Sequence, residues 1–546
     1  MSKSVSRGAL LRILRETANR FDADSNTRKR EALERMSAQL LKADALLADY
    51  HDTLLFIAAH PPDRAMHDRV EREFKRLASF LKTQRGRHPE ELVGRGMPWV
   101  DTVTRFTHDC VRWLLAHPHC RVLPNHYSEA LLDLNAVLKL TLPSLERGET
   151  TASLDNDALL DSLKIKSGER LAFIVNELSR FDALPFVKDQ LYDALELYVR
   201  VQPTAVAFSK PYNRLSVENL FVQSELLRHF DPLALMNQPL PAPRHLDAQA
   251  QDELIRVLKN TMVLTVRETD PGTYLEPRSL RLYDLERGLS CAIFGMTPER
   301  QLPLESYVGF TLFKNGLPVS YGGSWVMGER ATFGMNIFEP FRGGESGYMM
   351  CQLLRTYRQA FKARYFEVDA YQFGLDNPDG IASGAFWFYY RYGFRPLAPA
   401  LQRLALQEKK RIDSQNGYRS PAKTLLRFTQ SNVALNFGGP VPPHLADITT
   451  RVTKTIAADY GGDRLRAERD CIARFTQAAG LAGDLNEDER RVLAEVALVW
   501  HALNVQDAQG TDLLARMVRA KPGDVWAYQD LLLEFFTEER VRHGVR

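Results

Sequence analysis

The chain has 546 residues, 45% hydrophobic and 25% charged, with a formal net charge of +3. That balance fits a globular protein of roughly two to four domains and excludes a disordered chain. It also lacks the strong basic field of a dedicated nucleic-acid binder, so nucleic acid is not an expected partner. No apolar run reaches the ~18–20 residues that cross a bilayer, so no membrane role is expected. The five cysteines, Cys110, Cys120, Cys291, Cys351 and Cys471, are scattered and odd in number. They fit free thiols in a reducing compartment, and a cytoplasmic location is expected.

Residues 3–21 carry Leu10, Leu11, Ile13 and Leu14, interrupted by Glu16, and read as a surface amphipathic helix rather than a targeting segment. From Thr27 to about Leu235 the spacing predicts helices throughout. Leu33, Met36, Leu40, Ala43, Leu47, Tyr50 and Leu54 recur three and four apart, which marks one helical stripe running toward His60, where Pro61 and Pro62 stop it. Val70, Phe74, Leu77 and Leu81 repeat the pattern. Further helices are expected at Trp99 to Ala116, Ser128 to Leu140, Glu169 to Arg180, Phe186 to Val201 and Ser216 to Phe230. An all-helical N-terminal domain over 1–238 follows.

Pro239, Pro241 and Pro243 stiffen the chain into a connector. After one more helix, Asp252 to about Val266, short strands are expected at Leu280 to Leu285, Ser290 to Phe294, Tyr307 to Phe313, Pro318 to Val326, Ala331 to Ile337 and Tyr365 to Phe373. Asn315-Gly316 signals a hairpin, because both residues tolerate positive φ. Two helices, Ser346 to Phe361 and Ile381 to Tyr392, interrupt this mainly antiparallel sheet. Gly438, Gly439, Pro440, Pro442 and Pro443 then precede a mainly helical C-terminal region over 401–546. Asn486 with Glu489 makes a capping-box start there, and Asp524 to Phe536 is the last predicted helix.

The chemistry concentrates in two segments: the Gly-rich turn Arg342-Gly343-Gly344-Glu345-Ser346-Gly347, and the aromatic helix from Ala385 through Tyr389 to Gly393-Phe394-Arg395-Pro396. A Gly-rich turn entering a helix offers backbone N–H groups and the positive end of the helix dipole to an anion. In order and spacing, roughly residues 275–400, within a domain over 246–400, resemble the GNAT superfamily of N-acyltransferases.

That resemblance implies an α+β fold with a mixed, mainly antiparallel GNAT-like sheet, and the helical periodicity on either side adds flanking N-terminal and C-terminal all-α domains. It implies acetyl-CoA or another acyl-CoA as co-substrate, no metal, and a small-molecule or peptide amine as acceptor. The cofactor would be held at Ile337, Phe338, Arg342, Gly343, Gly344, Ser346, Gly347 and Tyr348. Tyr389 would protonate the departing thiolate, with Tyr390 about 100° away on the helix. A backbone N–H within Asn336 to Phe338 would serve the oxyanion.

An amine must lose a proton before it attacks, and Glu339 and Asp369 are the candidate bases, with Glu367 on the Asp369 face. Two positions depart from the family pattern. Ala382 stands where an asparagine is frequent, with Asn377 in the preceding loop. Glu345 replaces the middle glycine, so either the loop turns its carboxylate outward or that carboxylate is itself the anion at the helix start.

The alternative is a non-catalytic GNAT-like module whose helical domains bind a protein partner or a second copy. An aminoacyl-tRNA-dependent amide-forming transferase fits the near-neutral charge poorly. His108, Cys110, His117, His119 and Cys120 do not have the spacing of a zinc site. No P-loop is present, and Tyr348 breaks the nucleophile-elbow pattern.

Overall fold

The computed structural model describes residues 5–148, 154–481 and 483–536. The first residues of the predicted N-terminal helix and the last ten of the C-terminal region lie outside them. Eleven strands occur among the described residues, in two sheets.

The larger sheet has eight strands: β4 (Arg281–Asp284), β5 (Leu289–Phe294), β6 (Ser306–Lys314), β7 (Leu317–Met327), β8 (Arg330–Ile337), β9 (Tyr365–Val368), β10 (Arg395–Pro396) and β11 (Val433–Asn436). Their order is β10-β11-β9-β8-β7-β6-β5-β4, antiparallel throughout except for the β8–β9 pair. The fold is therefore α+β, with an open, mixed, mainly antiparallel sheet covered by helices. Asn315 and Gly316 form the β6–β7 turn with φ of 46° and 80°, the left-handed values their sequence predicts.

Between β8 and β9 the chain forms the helix Ser346–Phe361, whose limits match the predicted ones. It packs on one face of the sheet, where Tyr357 donates its hydroxyl to the Val308 carbonyl at 2.8 Å. The parallel pairing it permits is short: Arg330 with Tyr365, Ala331 with Phe366, and Thr332 with Glu367. β9 ends at Val368, and Asp369 turns the chain into the short helix Ala370–Phe373, while β8 continues to Ile337. The two strands splay apart, and the gap between them positions the candidate site.

The N-terminal half differs from the all-helical expectation. Helices Arg7–Thr17, Ala23–Ser37, Ala45–Ala59 and Arg64–Thr83 form and share one core with the large sheet. The single stripe from Leu33 to Leu54 is broken at residues 38–44: Asp44 caps the helix Ala45–Ala59 by accepting from the Leu47 N–H, and Leu40 is 85% exposed.

Beyond them lies a three-stranded antiparallel sheet with its own core, in the order β1 (Thr102–Thr104), β3 (Leu197–Pro203), β2 (Cys120–Tyr127). The predicted helix Phe186 to Val201 thus ends early, as Pro185–Asp193. Leu197, Val199 and Val201 are buried in alternation with Tyr198, Arg200 and Gln202, a period of two that a strand satisfies and a helix does not. Likewise, Trp99 to Ala116 yields β1 and a helix only over His108–Leu115. Residues 216–230 form no helix and run as an irregular strap over the start of Ser346–Phe361.

The C-terminal helices Leu445–Tyr460, Arg464–Ala479, Glu487–Ala502, Ala508–Ala520 and Val525–Phe535 build a further core. The Asn486/Glu489 capping box is present. The last helix docks on the large sheet through Gln529, which donates to the Val326 carbonyl of β7 at 3.0 Å. β11 joins the same sheet from beyond residue 400. Among the described residues no helix is long and apolar enough to cross a membrane, and all five cysteines are buried free thiols.

Candidate functional site

A cavity of about 760 Å³ opens where β8 and β9 diverge, within the range of ~300–1,000 Å³ common for small-molecule sites. Of the residues singled out in the sequence, Ile337, Phe338, Glu339, Arg342, Ser346 and Tyr389 line it. They come from the end of β8, the turn after it, the first residue of the long helix, and the helix Ala385–Arg391.

Tyr389 is 4% exposed, and among the described residues its hydroxyl has no protein hydrogen-bond partner. Burial raises its phenol well above the ordinary value, so it stays protonated at neutral pH and can donate a proton. Tyr390 faces elsewhere, under the Arg395 guanidinium at 3.9 Å.

The backbone of β8 selects one amide. Phe338 donates its N–H to the Val319 carbonyl of β7 at 3.1 Å. Successive strand amides point in opposite directions, so the Ile337 N–H is aimed away from β7, into the gap. The oxyanion donor expected within Asn336 to Phe338 is thus narrowed to Ile337.

Other candidates are not brought to the cavity. Asp369 is exposed, and its carboxylate accepts from the Tyr371 N–H at 2.9 Å, capping a short helix. Glu367 is buried against Arg330 and accepts from Asn432 at 2.8 Å. Tyr348 is a core residue whose hydroxyl accepts from Gln352 at 2.8 Å. Gly343, with φ of 82°, makes the turn and stays exposed. A Cβ on Gly344 would lie 3.3 Å from His60 Nε2, and one on Gly347 would lie 1.6 Å from the Tyr392 hydroxyl. These two glycines are therefore explained by close packing. Glu339 is the one predicted base at the cavity. Asn377 also lines it, and caps the helix Pro378–Ser383.

Glu345 follows neither reading of the sequence. Its carboxylate is turned inward, away from the helix start, and accepts from Lys314 at 2.9 Å, Arg287 at 2.7 Å, the Leu227 N–H at 2.8 Å and Gln223 at 3.0 Å. Burial alone would raise its pKa, but the Lys314 charge, the Leu227 N–H and the Arg287 charge hold it at about 2. Burial pulls Lys314 down to about 8 even with this partner beside it, and His60 nearby to about 3. The first N–H groups of the helix are left without a side-chain cap.

Sequence reading missed the wall that the N-terminal half contributes: Asp52, Arg95, Lys210 and Arg267 also line the cavity. They sit on separate helices and loops with no shared motif, so no spacing signal could have found them. Comparison with protein-family models, curated proteins and solved structures gave no match.

Proposed function

We propose that the protein is a GNAT-like N-acyltransferase that moves an acetyl or other acyl group from acyl-CoA to an amine. The observation that carries this reading is the convergence of the Ile337 amide, Arg342, the start of helix Ser346–Phe361 and the Tyr389 hydroxyl on one cavity at a strand splay. The inward turn of Glu345 supports it, because the carboxylate that would repel a pyrophosphate is neutralised by Lys314 and Arg287.

In this mechanism Arg342 and the uncapped amides hold the diphosphate, and the pantetheine arm enters the splay. Glu339, directly or through a water, takes the proton from the acceptor ammonium. The amine nitrogen then attacks the thioester carbonyl, and the Ile337 N–H stabilises the oxyanion. The intermediate gives up its second nitrogen proton to water and collapses with cleavage of the C–S bond, and Glu339 returns its proton to solvent. The thiolate takes the Tyr389 proton, and the amide product and free CoA leave. Tyr389 is reprotonated from solvent.

A second reading, a non-catalytic module with helical domains for a protein partner, is favoured by the covering of Gly347 by Tyr392, which itself stacks on Phe230 with ring centroids 6.1 Å apart. Thermal unfolding with acetyl-CoA and longer acyl-CoAs separates the two. A ligand at 100 times its Kd adds about 2.7 kcal/mol of apparent stability. No shift with any acyl-CoA would favour the module.

A further inference from the structure

The cavity holds four cations, Arg95, Lys210, Arg267 and Arg342. Within the described residues none of them makes a salt bridge or a side-chain hydrogen bond. Three carboxylates share the cavity: Asp52, which also bonds His51 Nδ1 at 3.1 Å, Glu339 and Asp379. A concave surface that presents unpaired cations raises the local concentration of anions.

The cations form two groups by origin, Arg342 from the turn after β8, and Arg95, Lys210 and Arg267 from the wall that precedes the sheet in the chain. On β8, Phe333, Met335 and Ile337 share one face, the face of Tyr389, whose ring lies 6.4 Å from that of Phe333. Asn336 and its cross-strand partner Tyr321 occupy the other face. Arg342 leads into the helix that packs on the Tyr389 face. Arg267 follows the helix Ala248–Thr265, and its charge and that of Arg342 both act on the Tyr321 phenol. Lys210 lies among the charges of Asp52, Arg95, Glu339 and Arg267. An acyl-CoA whose diphosphate sits at Arg342 therefore leaves three cations, Arg95, Lys210 and Arg267, facing two carboxylates, Asp52 and the candidate base Glu339.

We infer that Arg95, Lys210 and Arg267 form the acceptor subsite, and that the acceptor is a small amine carrying a negatively charged group, a carboxylate or a phosphate. Its anionic end meets the three cations and its ammonium meets Glu339, a charge pattern matching a zwitterion. The inference rests on the N-acyltransferase reading for what happens to the amine, but the subsite itself is a matter of binding.

The test pairs amino acids with their α-amides, and O-phosphoethanolamine with ethanolamine, as acceptors for acetyl-CoA and, separately, as ligands in calorimetry. The anionic member of at least one pair should be acylated with kcat/KM at least about tenfold above its neutral partner, and which pair does so distinguishes carboxylate from phosphate. Arg267→Gln and Lys210→Met should bring that ratio toward one while changing the Kd for acetyl-CoA by less than about twofold. Circular dichroism would check that both variants fold, with Arg95→Gln as the surface replacement if either does not.

Equal acylation of neutral partners overturns the inference. So does a loss of acetyl-CoA affinity with unchanged acceptor selectivity, which would give these cations to the cofactor. If the wild-type protein binds no acyl-CoA, the transferase reading fails. Calorimetric binding of an anionic amine that is lost in Arg267→Gln would still uphold the subsite, and no such binding would overturn it.

Discussion

The Glu345 carboxylate and the Lys314 ammonium stand 2.9 Å apart, each side chain 1% exposed. Glu345 begins the helix that follows β8, and Lys314 ends β6, so the pair ties the Gly-rich turn to the sheet. Removing one member leaves the other charged and buried, which costs about 3–5 kcal/mol. Glu345→Gln should lose that much in urea unfolding. The folded carboxyl sits at about 2 against an ordinary 4.5. Its stabilisation is thus full above about pH 4.5 and lost as pH falls through 2. The acid limb of a stability–pH profile should flatten in the variant, and an unchanged limb would remove Glu345 from that role.

Tyr389→Phe removes a hydroxyl with no protein partner among the described residues, so the melting temperature should hold. Turnover should fall about 100-fold or more, the contribution of a positioned general acid, with acyl-CoA affinity nearly unchanged. Release of free thiol measured beside calorimetric titration checks both halves, and wild-type turnover would take the proton donor elsewhere.

Arg342→Ala should weaken acetyl-CoA binding about tenfold or more, the loss of a charge-assisted phosphate contact. Stability should not change, because the side chain is exposed and makes no ion pair within the described residues. Isothermal titration reads the first effect and thermal melting the second. Unchanged affinity would place the diphosphate away from this turn.

Gly347→Ala puts a methyl 1.6 Å from the Tyr392 hydroxyl and 2.2 Å from its ring carbon. Overpacking of this kind costs about 1–3 kcal/mol. Tyr392→Ala opens the space, so the double variant should be more stable than the sum of the two single losses. Additive losses in a double-mutant cycle would show that the ring does not constrain the glycine.

Asn315→Ala should destabilise by about 2–3 kcal/mol. Its amide donates to the Ala59 and Phe221 carbonyls, each at 3.0 Å, and its carbonyl accepts from the Phe221 N–H at 2.8 Å. The hairpin tip thereby holds both the N-terminal helices and the strap. Proteolysis within residues 216–230 should accelerate in this variant, and wild-type resistance would show that the strap is held by its other contacts.

Much of the large sheet was legible in the sequence because its signals are local. The alternation in β5 to β8, the Asn315-Gly316 turn and the amphipathic pattern of Ser346–Phe361 each depend on neighbours along the chain. The Asn486/Glu489 cap is legible for the same reason. The three-stranded sheet was misread: Leu197, Val199 and Val201 adjoin a true helix, and only pairing with β1 and β2 reveals their period of two. Asp369 and Glu367 looked alike as strand carboxylates, yet one caps a helix and the other faces Arg330.

By itself, then, the sequence determined the central run of strands, the Gly-rich entry to the long helix, and the tyrosine four residues before Gly393, because backbone preference and side-chain period act over a few residues. Only the tertiary structure decided that Glu345 is held inward by two cations, that the Ile337 amide faces the gap, and that three cations from the N-terminal half complete the cavity. Each of these depends on groups tens to hundreds of residues apart, brought together by burial of a shared core.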